Sequence, residues 1–238
     1  MSLAKLIDLK GKVALVTGGS RGLGLQMAEV LGELGARVAI TARKQNELDA
    51  AAAHLKALGI DALPIVCDMS DLQAIRPLVD TVVEKLGPIN VLVNNAGTSW
   101  GAPTVDHPID GWNKVMTLNV SAQQALIAAF DAPLRKSARA RVIGITSKVG
   151  RQPRAFWGAY GASKAAFETL VQAYGEEVEG ISNVRVALFD PGATRTAMRE
   201  RAYPGEDPAS VKPPEMVADK IAELIASDAA SGHFERIA

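Results

Sequence analysis

The sequence predicts an α/β fold in which one parallel β-sheet carries helices on both faces. Short apolar runs rich in β-branched residues alternate along the chain with longer segments that have helical character. The apolar runs lack polar alternation, which indicates strands that are covered on both faces. A glycine-rich segment follows the first run and precedes the first helical segment. This order of elements is typical of a doubly wound sheet.

Five apolar runs are predicted as strands. They cover residues 13–17, 37–41, 90–94, 141–146 and 184–189. A sixth run, residues 61–68, is a weaker candidate because Pro64 has no amide proton and restricts a strand to an edge or a bulge. A short strand over residues 233–237 is a further candidate near the end of the chain.

Helices are predicted between these runs. The segments 23–35, 46–59 and 71–87 each end at a glycine, a residue that commonly caps helix C termini. Later helices are predicted over residues 115–130, 158–178 and 215–226. The proline and glycine content of residues 201–215 predicts a loop before the last helix. Its length makes it a candidate active-site lid, so we expect a substrate loop near residues 195–215.

Composition narrows the class of protein. The 26 basic and 26 acidic residues cancel, and no long run of one sign indicates a nucleic-acid or anionic-membrane surface. Small molecules are the expected partners. Cys67 is the only cysteine and cannot form an intrachain disulfide, and residues 1–12 lack the apolar core of a signal peptide. No apolar run approaches the roughly 18 residues of a membrane span. We therefore expect a cytoplasmic protein whose residues 1–238 form one Rossmann-type domain.

The glycine-rich segment Thr17–Gly24 is a candidate nucleotide site. Gly18, Gly22 and Gly24 have the spacing G-x-x-x-G-x-G, which differs from the general G-x-G-x-x-G fingerprint. Glycine lets the backbone approach a pyrophosphate, whose charge the free amides and the helix dipole stabilise. An ordinary strand-to-helix turn is the alternative. The strand before the segment and the helix after it favour the nucleotide.

The end of the second strand indicates which dinucleotide is bound. An acidic residue about 20 positions after the glycines accepts from the ribose hydroxyls of NAD, whereas a basic residue accommodates the phosphate of NADP. The segment Thr41–Lys44 has no carboxylate. Arg43 and Arg21 could instead make charge-assisted bonds to that phosphate. NADP is favoured, and two merely solvated arginines are the alternative.

Three residues suggest acid–base chemistry on a carbonyl. Tyr160 and Lys164 are four residues apart in a predicted helix, which puts them on one face. A free tyrosine, with a pKa of about 10, is a poor acid–base catalyst at neutral pH, but a nearby ammonium would lower that pKa. Ser147 follows a strand, and its hydroxyl could hold a carbonyl oxygen beside the phenol. Each residue alone fits a packing, solvated or turn-forming role. Their occurrence with a dinucleotide turn favours catalysis.

Seven motifs occur in one order across nearly all of the chain. They are TGGSRGLG at 17–24, CDMSD at 67–71, NNAG at 94–97, TLNV at 117–120, ITS at 145–147, YGASK at 160–164 and PGATRT at 191–196. Each motif alone is unspecific, but together they are highly specific. On these motifs the chain resembles the short-chain dehydrogenase/reductase family.

The resemblance implies a reversible carbonyl reductase that prefers NADP(H), with NAD(H) as the alternative. Tyr160 would be the acid/base, Ser147 would orient the carbonyl, and Asn119 would hold a water in a proton relay. Lys164 would also bind the nicotinamide ribose. The residues implied to bind the cofactor are Gly18, Ser20, Arg21, Gly22, Leu23, Gly24, Arg43, Asp68, Met69, Asn95, Ala96, Gly97, Tyr160, Lys164, Pro191, Gly192, Thr194 and Thr196.

The resemblance leaves the substrate and the assembly open. Substrate choice is assigned to residues 98–100, to Arg154, Phe156 and Trp157, and to Met198 and Tyr203, which suggest a partly apolar pocket. Family members reduce 3-oxoacyl thioesters or act on polyols or small ketones. An NAD-dependent polyol or sugar dehydrogenase and an idle NADP-binding sensor or scaffold are the alternatives. A homodimer or homotetramer is implied, although the short tail departs from the family pattern. The three histidines have no ligand-like spacing, so no metal is proposed.

Overall fold

The computed structural model describes residues 8–227 and 233–236. Within these residues, the strands β1 Val13–Thr17, β2 Arg37–Ala42, β3 Ala62–Val66, β4 Val91–Asn94, β5 Ala140–Ile145, β6 Val184–Asp190 and β7 His233–Arg236 form one sheet. Its order is β3-β2-β1-β4-β5-β6-β7, and every neighbouring pair is parallel. The predicted fold class is confirmed. The strand order reverses between β1 and β4, and ligands bind doubly wound sheets at the carboxyl end of such a point.

The two edge strands agree with the weaker predictions. β3 contains Pro64 and lies at one edge of the sheet. An edge strand has a neighbour on one side only, so the missing amide proton of Pro64 deprives no second strand of a hydrogen-bond donor. β7 occupies the other edge and pairs with β6 through Ala187 to Asp190. The predicted tail strand is therefore present as a seventh strand, while Ile237, its last predicted residue, lies outside the described residues.

Eight α-helices connect the strands in the described part of the chain. They are α1 Gly22–Glu33, α2 Gln45–Ala57, α3 Ile75–Leu86, α4 Ile109–Met116, α5 Ala122–Arg135, α6 Gly158–Val178, α7 Ala197–Ala202 and α8 Pro214–Ala226. The third helix begins later than predicted because the Asp71 side chain caps a 3₁₀ turn, Leu72–Ala74, that precedes it. A π-helical turn, Thr117–Ser121, joins α4 to α5.

Alternate residues of each strand enter two separate apolar cores. Val16 and Ile40 pack with α1, α2 and α8, whereas Leu15 and Leu92 pack with α3, α5 and α6. Both faces of the sheet are thus covered, which explains why the strands show no polar alternation. No helix of the described residues has the length and apolar composition needed to cross a bilayer.

The packing of α1 predicts the effect of a single methyl group. A Cβ atom at Gly32 would lie 2.2 Å from the Ile60 Cγ2 atom. We expect Gly32→Ala to lower the free energy of unfolding by about 1–3 kcal/mol, although alanine is the better helix former. Urea unfolding followed by circular dichroism measures the change.

Two further variants control for this effect. Gly205→Ala should be neutral because no atom lies within 4 Å of the added Cβ. Ile60→Ala should reduce the penalty of Gly32→Ala when the two are combined, since it removes the clashing atoms. A Gly32→Ala protein as stable as the wild type would contradict the packing described.

Candidate active site

A groove of about 1120 Å³ lies along the carboxyl ends of β1 to β6. Every residue predicted to bind the cofactor lines it, as do Ser147, Tyr160 and Lys164. The Asn119 side chain is buried and does not line the groove. Of the predicted substrate residues, Thr98, Ser99, Trp100, Arg154, Trp157, Met198 and Tyr203 line the groove. Phe156 does not line it, and its side chain is 61% exposed.

The glycine-rich turn brings two backbone segments into direct contact. A Cβ atom at Gly24 would lie 2.1 Å from the Gly18 carbonyl oxygen, so only glycine fits between the turn and α1. Gly18 has a φ of 66°, which favours glycine. No side chain caps the N terminus of α1. The turn therefore offers uncapped amides and a positive helix dipole to an anion.

A hydroxyl missed by the sequence-based search holds this turn against the neighbouring loop. Thr17 is fully buried, and its Oγ1 atom accepts hydrogen bonds from the amides of Asn95 and Ala96, both at 3.0 Å. The Asn95 side-chain amide donates to the Thr17 carbonyl oxygen at 2.8 Å. The ends of β1 and β4 are thus tied together at the switch point of the sheet. Only the tertiary structure reveals this role of Thr17.

The end of the groove beside β2 contains a carboxylate that the segment Thr41–Lys44 did not reveal. Glu47, in the first turn of α2, lies 3.0 Å from the Lys44 Nζ atom and 3.7 Å from an Arg21 guanidinium nitrogen. The hydrogen bond from Lys44, helped by the charge of Arg21, holds the pKa of Glu47 below its usual value. Arg43 lines the groove beside this cluster. The i,i+3 spacing of Lys44 and Glu47 could have indicated their pairing, but not the contact with Arg21.

Another wall of the groove is formed by the loop after β6. The Asp190 side chain accepts from the Gly192 amide at 2.9 Å, and Thr196 caps α7 by accepting from the Arg199 amide. Thr194 is buried and forms a bridge with Lys212. A Cβ atom at Gly22 would lie 3.6 Å from Thr196. This loop and the glycine-rich turn therefore face each other across the groove.

Asn119 connects two walls of the site from within the core. Its side-chain oxygen accepts from the Thr98 amide at 2.8 Å, and its side-chain nitrogen donates to the Thr98 carbonyl at 2.8 Å and to Ser163 Oγ at 3.0 Å. Ser163 in turn donates to the Tyr160 carbonyl oxygen at 2.7 Å. The Asn119 amide thus positions the loop after β4 relative to the start of α6. Its role in holding a water stays a prediction.

Tyr160, Ser147 and Lys164 meet at the end of β5. The Ser147 hydroxyl lies close enough to the Tyr160 phenol to lower its pKa. The Lys164 Nζ atom donates to the Ile145 carbonyl oxygen at 2.8 Å and lies 5.8 Å from the centre of the Tyr160 ring. Lys164 is 6% exposed, so its ammonium is held among protein atoms rather than in water.

The pKa of Tyr160 differs from the sequence-based expectation. Burial raises the pKa of Tyr160 to about 12, although the neighbouring Ser147 hydroxyl acts to lower it. Burial also lowers the pKa of Lys164 to about 8, against the favourable charges of Glu168 and Asp190. In the protein alone, desolvation of the phenolate thus outweighs any help from Lys164, whose nearest partner is the Ile145 carbonyl. The expectation that the pKa of Tyr160 is lowered is therefore wrong for the protein alone.

The buried carboxylate of Glu168 lies next to this cluster in α6. Glu168 lies one helical turn after Lys164 and is 6% exposed. It accepts from Thr146 Oγ1 at 2.5 Å and from Arg151 Nε at 2.6 Å. The Arg151 guanidinium lies 3.3 Å above the centre of the Phe234 ring in β7. The i,i+4 spacing of Lys164 and Glu168 in the predicted helix could have indicated that Glu168 interacts with the lysine.

Comparison with known proteins identifies the family. The model of the short chain dehydrogenase family matches residues 12–207. The chain is 39% identical over 210 residues to the rhamnolipids biosynthesis 3-oxoacyl-[acyl-carrier-protein] reductase of Pseudomonas aeruginosa, covering 86% of this chain and 80% of that protein. The chain belongs to the short chain dehydrogenase family, as its motifs indicated, and is an oxidoreductase of the class that acts on alcohol and carbonyl groups.

Solved structures agree with this assignment. A protein of Pseudomonas syringae assigned as a short chain dehydrogenase has a TM-score of 0.91 and 35% identity, covering 96% of this chain and 95% of that one. A protein of Escherichia coli CFT073 with the same assignment, complexed with NADPH, has a TM-score of 0.91 and 30% identity, covering 98% of both chains. The described residues contain no cluster of three or more metal-ligating side chains.

The Glu168 network predicts a large effect of one buried carboxylate on stability. Glu168→Ala removes the acceptor for Thr146 and the partner of Arg151, whose side chain is 38% exposed and so partly solvated. We expect a loss of about 1.5–3 kcal/mol in the free energy of unfolding. Chemical denaturation at neutral pH measures it.

The matched control is an exposed pair of the same type. Glu223→Ala breaks an ion pair with Lys220 in which both side chains are more than 40% exposed, and it should change stability by less than about 1 kcal/mol. Equal effects of the two substitutions would show that the Glu168 network contributes no more than a surface ion pair.

Proposed function

We propose that this protein is an NADP(H)-dependent oxidoreductase that interconverts a carbonyl group and a secondary alcohol, with Tyr160 as the acid/base. One observation carries the proposal. The groove holds Ser147, Tyr160 and Lys164 at one end and the glycine-rich turn with a basic cluster at the other. A cofactor that spans the groove would connect these two ends.

The residues of the groove fit a dinucleotide. The contact between Gly24 and Gly18 leaves the uncapped start of α1 open to a pyrophosphate. Arg21, Arg43 and Lys44 would hold the adenosine phosphate, and Pro191 to Thr196 together with Lys164 would hold the nicotinamide end. When bound, the reduced nicotinamide supplies the hydride. The NADPH complex of the Escherichia coli relative supports this choice of cofactor.

Electrostatics at the adenosine end favour NADP over NAD. Four cations line this end, Arg21, Arg43, Lys44 and Lys114, against two carboxylates, Glu47 and Asp68. Asp68 already accepts two hydrogen bonds from Ser70. Glu47, already paired with Lys44 and Arg21, is the one feature that favours NAD. The excess of positive charge supports a phosphate.

Ser147, Tyr160 and Lys164 would each have a different role in proton transfer. The Ser147 hydroxyl would hold the carbonyl oxygen beside the phenol. With a pKa of about 12, Tyr160 keeps its proton at neutral pH and is ready to donate it to the oxygen during reduction. Lys164 is mostly charged at neutral pH because its pKa is about 8. Its ammonium would then stabilise the phenolate that proton donation leaves behind.

The acid/base assignment predicts the behaviour of Tyr160→Phe. This variant keeps the ring, which meets Trp157 edge-on at 5.6 Å between centres, and removes the transferable proton. We expect turnover to fall by about 100-fold or more, with NADPH affinity and unfolding free energy nearly unchanged. The assay follows loss of reduced nicotinamide over a panel of ketones, 3-oxoacyl thioesters and sugars. Near-normal turnover by the variant would refute the assignment. Cofactor binding by the wild type without turnover of any compound would favour a sensor.

The basic cluster predicts opposite effects of two neighbouring substitutions. Arg43→Ala should weaken NADPH binding by about 10-fold or more, because a charge-assisted hydrogen bond is lost, and should leave NADH binding nearly unchanged. Glu47→Gln should strengthen NADPH binding by up to about fivefold, because Arg21 and Lys44 lose a competing partner.

Calorimetric titration of both cofactors into each variant measures these effects. A wild type that binds NADH more tightly, or an Arg43→Ala protein with unchanged NADPH affinity, would overturn the phosphate assignment. Asp49→Asn is a suitable control, since Asp49 lies on α2 but does not line the groove.

A further inference from the structure

Two aromatic side chains form a wall of the groove beside Tyr160. The Trp157 and Tyr203 rings are stacked, with an interplanar angle of 15° and centres 6.1 Å apart. Trp157 also meets the Tyr160 ring edge-on. Trp157 precedes α6 and Tyr203 follows α7, so this aromatic wall joins two separate loops. It gives the groove an apolar side next to the phenol that is proposed to act as the acid/base.

Two arginines contact Tyr203, and they differ in their charge partners. The Arg199 guanidinium lies 3.7 Å above the Tyr203 ring centre and makes two hydrogen bonds to the Glu206 carboxylate. Arg154 donates to the Tyr203 hydroxyl at 3.0 Å. Within residues 8–227 and 233–236, no carboxylate pairs with Arg154. The charge of Arg199 is therefore neutralised inside the protein, while that of Arg154 is available to a ligand.

The loop that carries Arg154 is held in a strained conformation. Phe156 has a φ of 68°, and no other described residue apart from glycines has a positive φ. Its carbonyl oxygen accepts from the Ala102 amide at 3.0 Å, which fixes this loop against the loop after β4. Such backbone strain is found mostly at active sites and ligand sites. The same loop carries Arg154 and Trp157, which both line the groove.

Among the described residues, the groove-lining charges beside the aromatic wall that lack a carboxylate partner are all positive. Lys148 and Arg201 line it as well, and neither has a carboxylate partner among the residues that the structure describes. The carboxylates that line the groove are Glu47, Asp68 and Asp190. The first two lie at the adenosine end, and Asp190 lies near Lys164. The part of the groove beside the aromatic wall therefore attracts anions.

We propose that Arg154 binds an anionic group of the substrate, so that the preferred substrates are carbonyl compounds and alcohols that carry a carboxylate or a phosphate. This inference rests on the proposed function. The Tyr203 hydroxyl uses one donor of the guanidinium and orients it, which leaves its remaining N–H groups for an anion. The aromatic wall would pack the carbon chain between that anion and the reacting carbonyl.

The test compares substrates that differ only in charge. The pairs are 3-oxobutanoate and 3-oxohexanoate, each with its neutral ethyl ester, assayed with NADPH on the wild type and on Arg154→Gln. We expect the wild type to prefer each acid over its ester by about 10-fold or more in kcat/KM, because a charge-assisted contact is gained. Arg154→Gln should lose that preference, mainly through KM, while ester turnover stays within about threefold.

Three controls separate charge from structure. Arg154→Lys keeps the charge and should retain part of the preference for the acids. Arg199→Gln disturbs the aromatic wall without removing the available charge, so it should affect acid and ester alike. Binding of unreactive hexanoate and hexanamide by calorimetry gives a readout that is independent of turnover. Hexanoate should bind the wild type more tightly than Arg154→Gln, and hexanamide should not distinguish them.

One further substrate tests where on the substrate the anionic group lies. Acetoacetyl-coenzyme A has a neutral thioester at the reacting end and phosphates far from it. Arg154-dependent turnover of this compound, with no preference for free acids, would support the proposal and place the anion on a carrier group. A wild type that prefers the esters, or an Arg154→Gln protein that loses acid and ester turnover equally, would overturn it. A folded protein that turns over none of the compounds of either panel would instead count against the proposed function.

Discussion

The ammonium group of Lys164 is buried at the end of β5, where it lies between three parts of the site. It donates to the Ile145 carbonyl, two residues before Ser147, and it lies one helical turn from Tyr160 and one from Glu168. Burial lowers the pKa of Lys164 to about 8, while the charges of Glu168 and Asp190 raise it. A buried ammonium without those carboxylates would lose more of its charge. The Glu168 network and the loop after β6 thus keep Lys164 cationic at neutral pH.

This arrangement changes how the tyrosine and the lysine cooperate. A lysine that lowered the tyrosine pKa below neutral pH in the free protein would leave mostly phenolate, which has no proton to donate for reduction. Here burial raises the pKa of Tyr160 to about 12, so the phenol stays protonated. In the mechanism we propose, Lys164 matters mainly for the charge that forms when the proton leaves. In the proposed mechanism, an interaction that strengthens as charge develops lowers the barrier more than one already present in the ground state.

The parts of the fold that depend on local pattern could be predicted from the sequence. Strand positions followed from the apolar runs, and Pro64 indicated an edge strand because proline cannot donate to a second neighbour. The motifs also indicated which loops meet at the groove. Thr17, Glu47 and Glu168 were missed as functional residues because their roles depend on contacts between segments far apart in the chain. The raised pKa of Tyr160 was missed for the same reason, since burial is a property of the assembled site.

Asn119 and Phe156 show how a local conflict in the chain can mark a tertiary constraint. An asparagine is unfavourable inside a helix, and the structure places Asn119 in a π-helical turn where its amide makes three hydrogen bonds to Thr98 and Ser163. These bonds offset the local cost by fixing the loop after β4 against α6. Phe156 adopts a left-handed conformation that its side chain disfavours, and its carbonyl gains a bond to Ala102. Both conflicts lie beside the groove, one fixing the start of the helix that carries Tyr160 and the other fixing the loop that carries Arg154. Local propensity is overridden at the positions where separate loops must meet, which is where a site assembled from strand ends has to be held together.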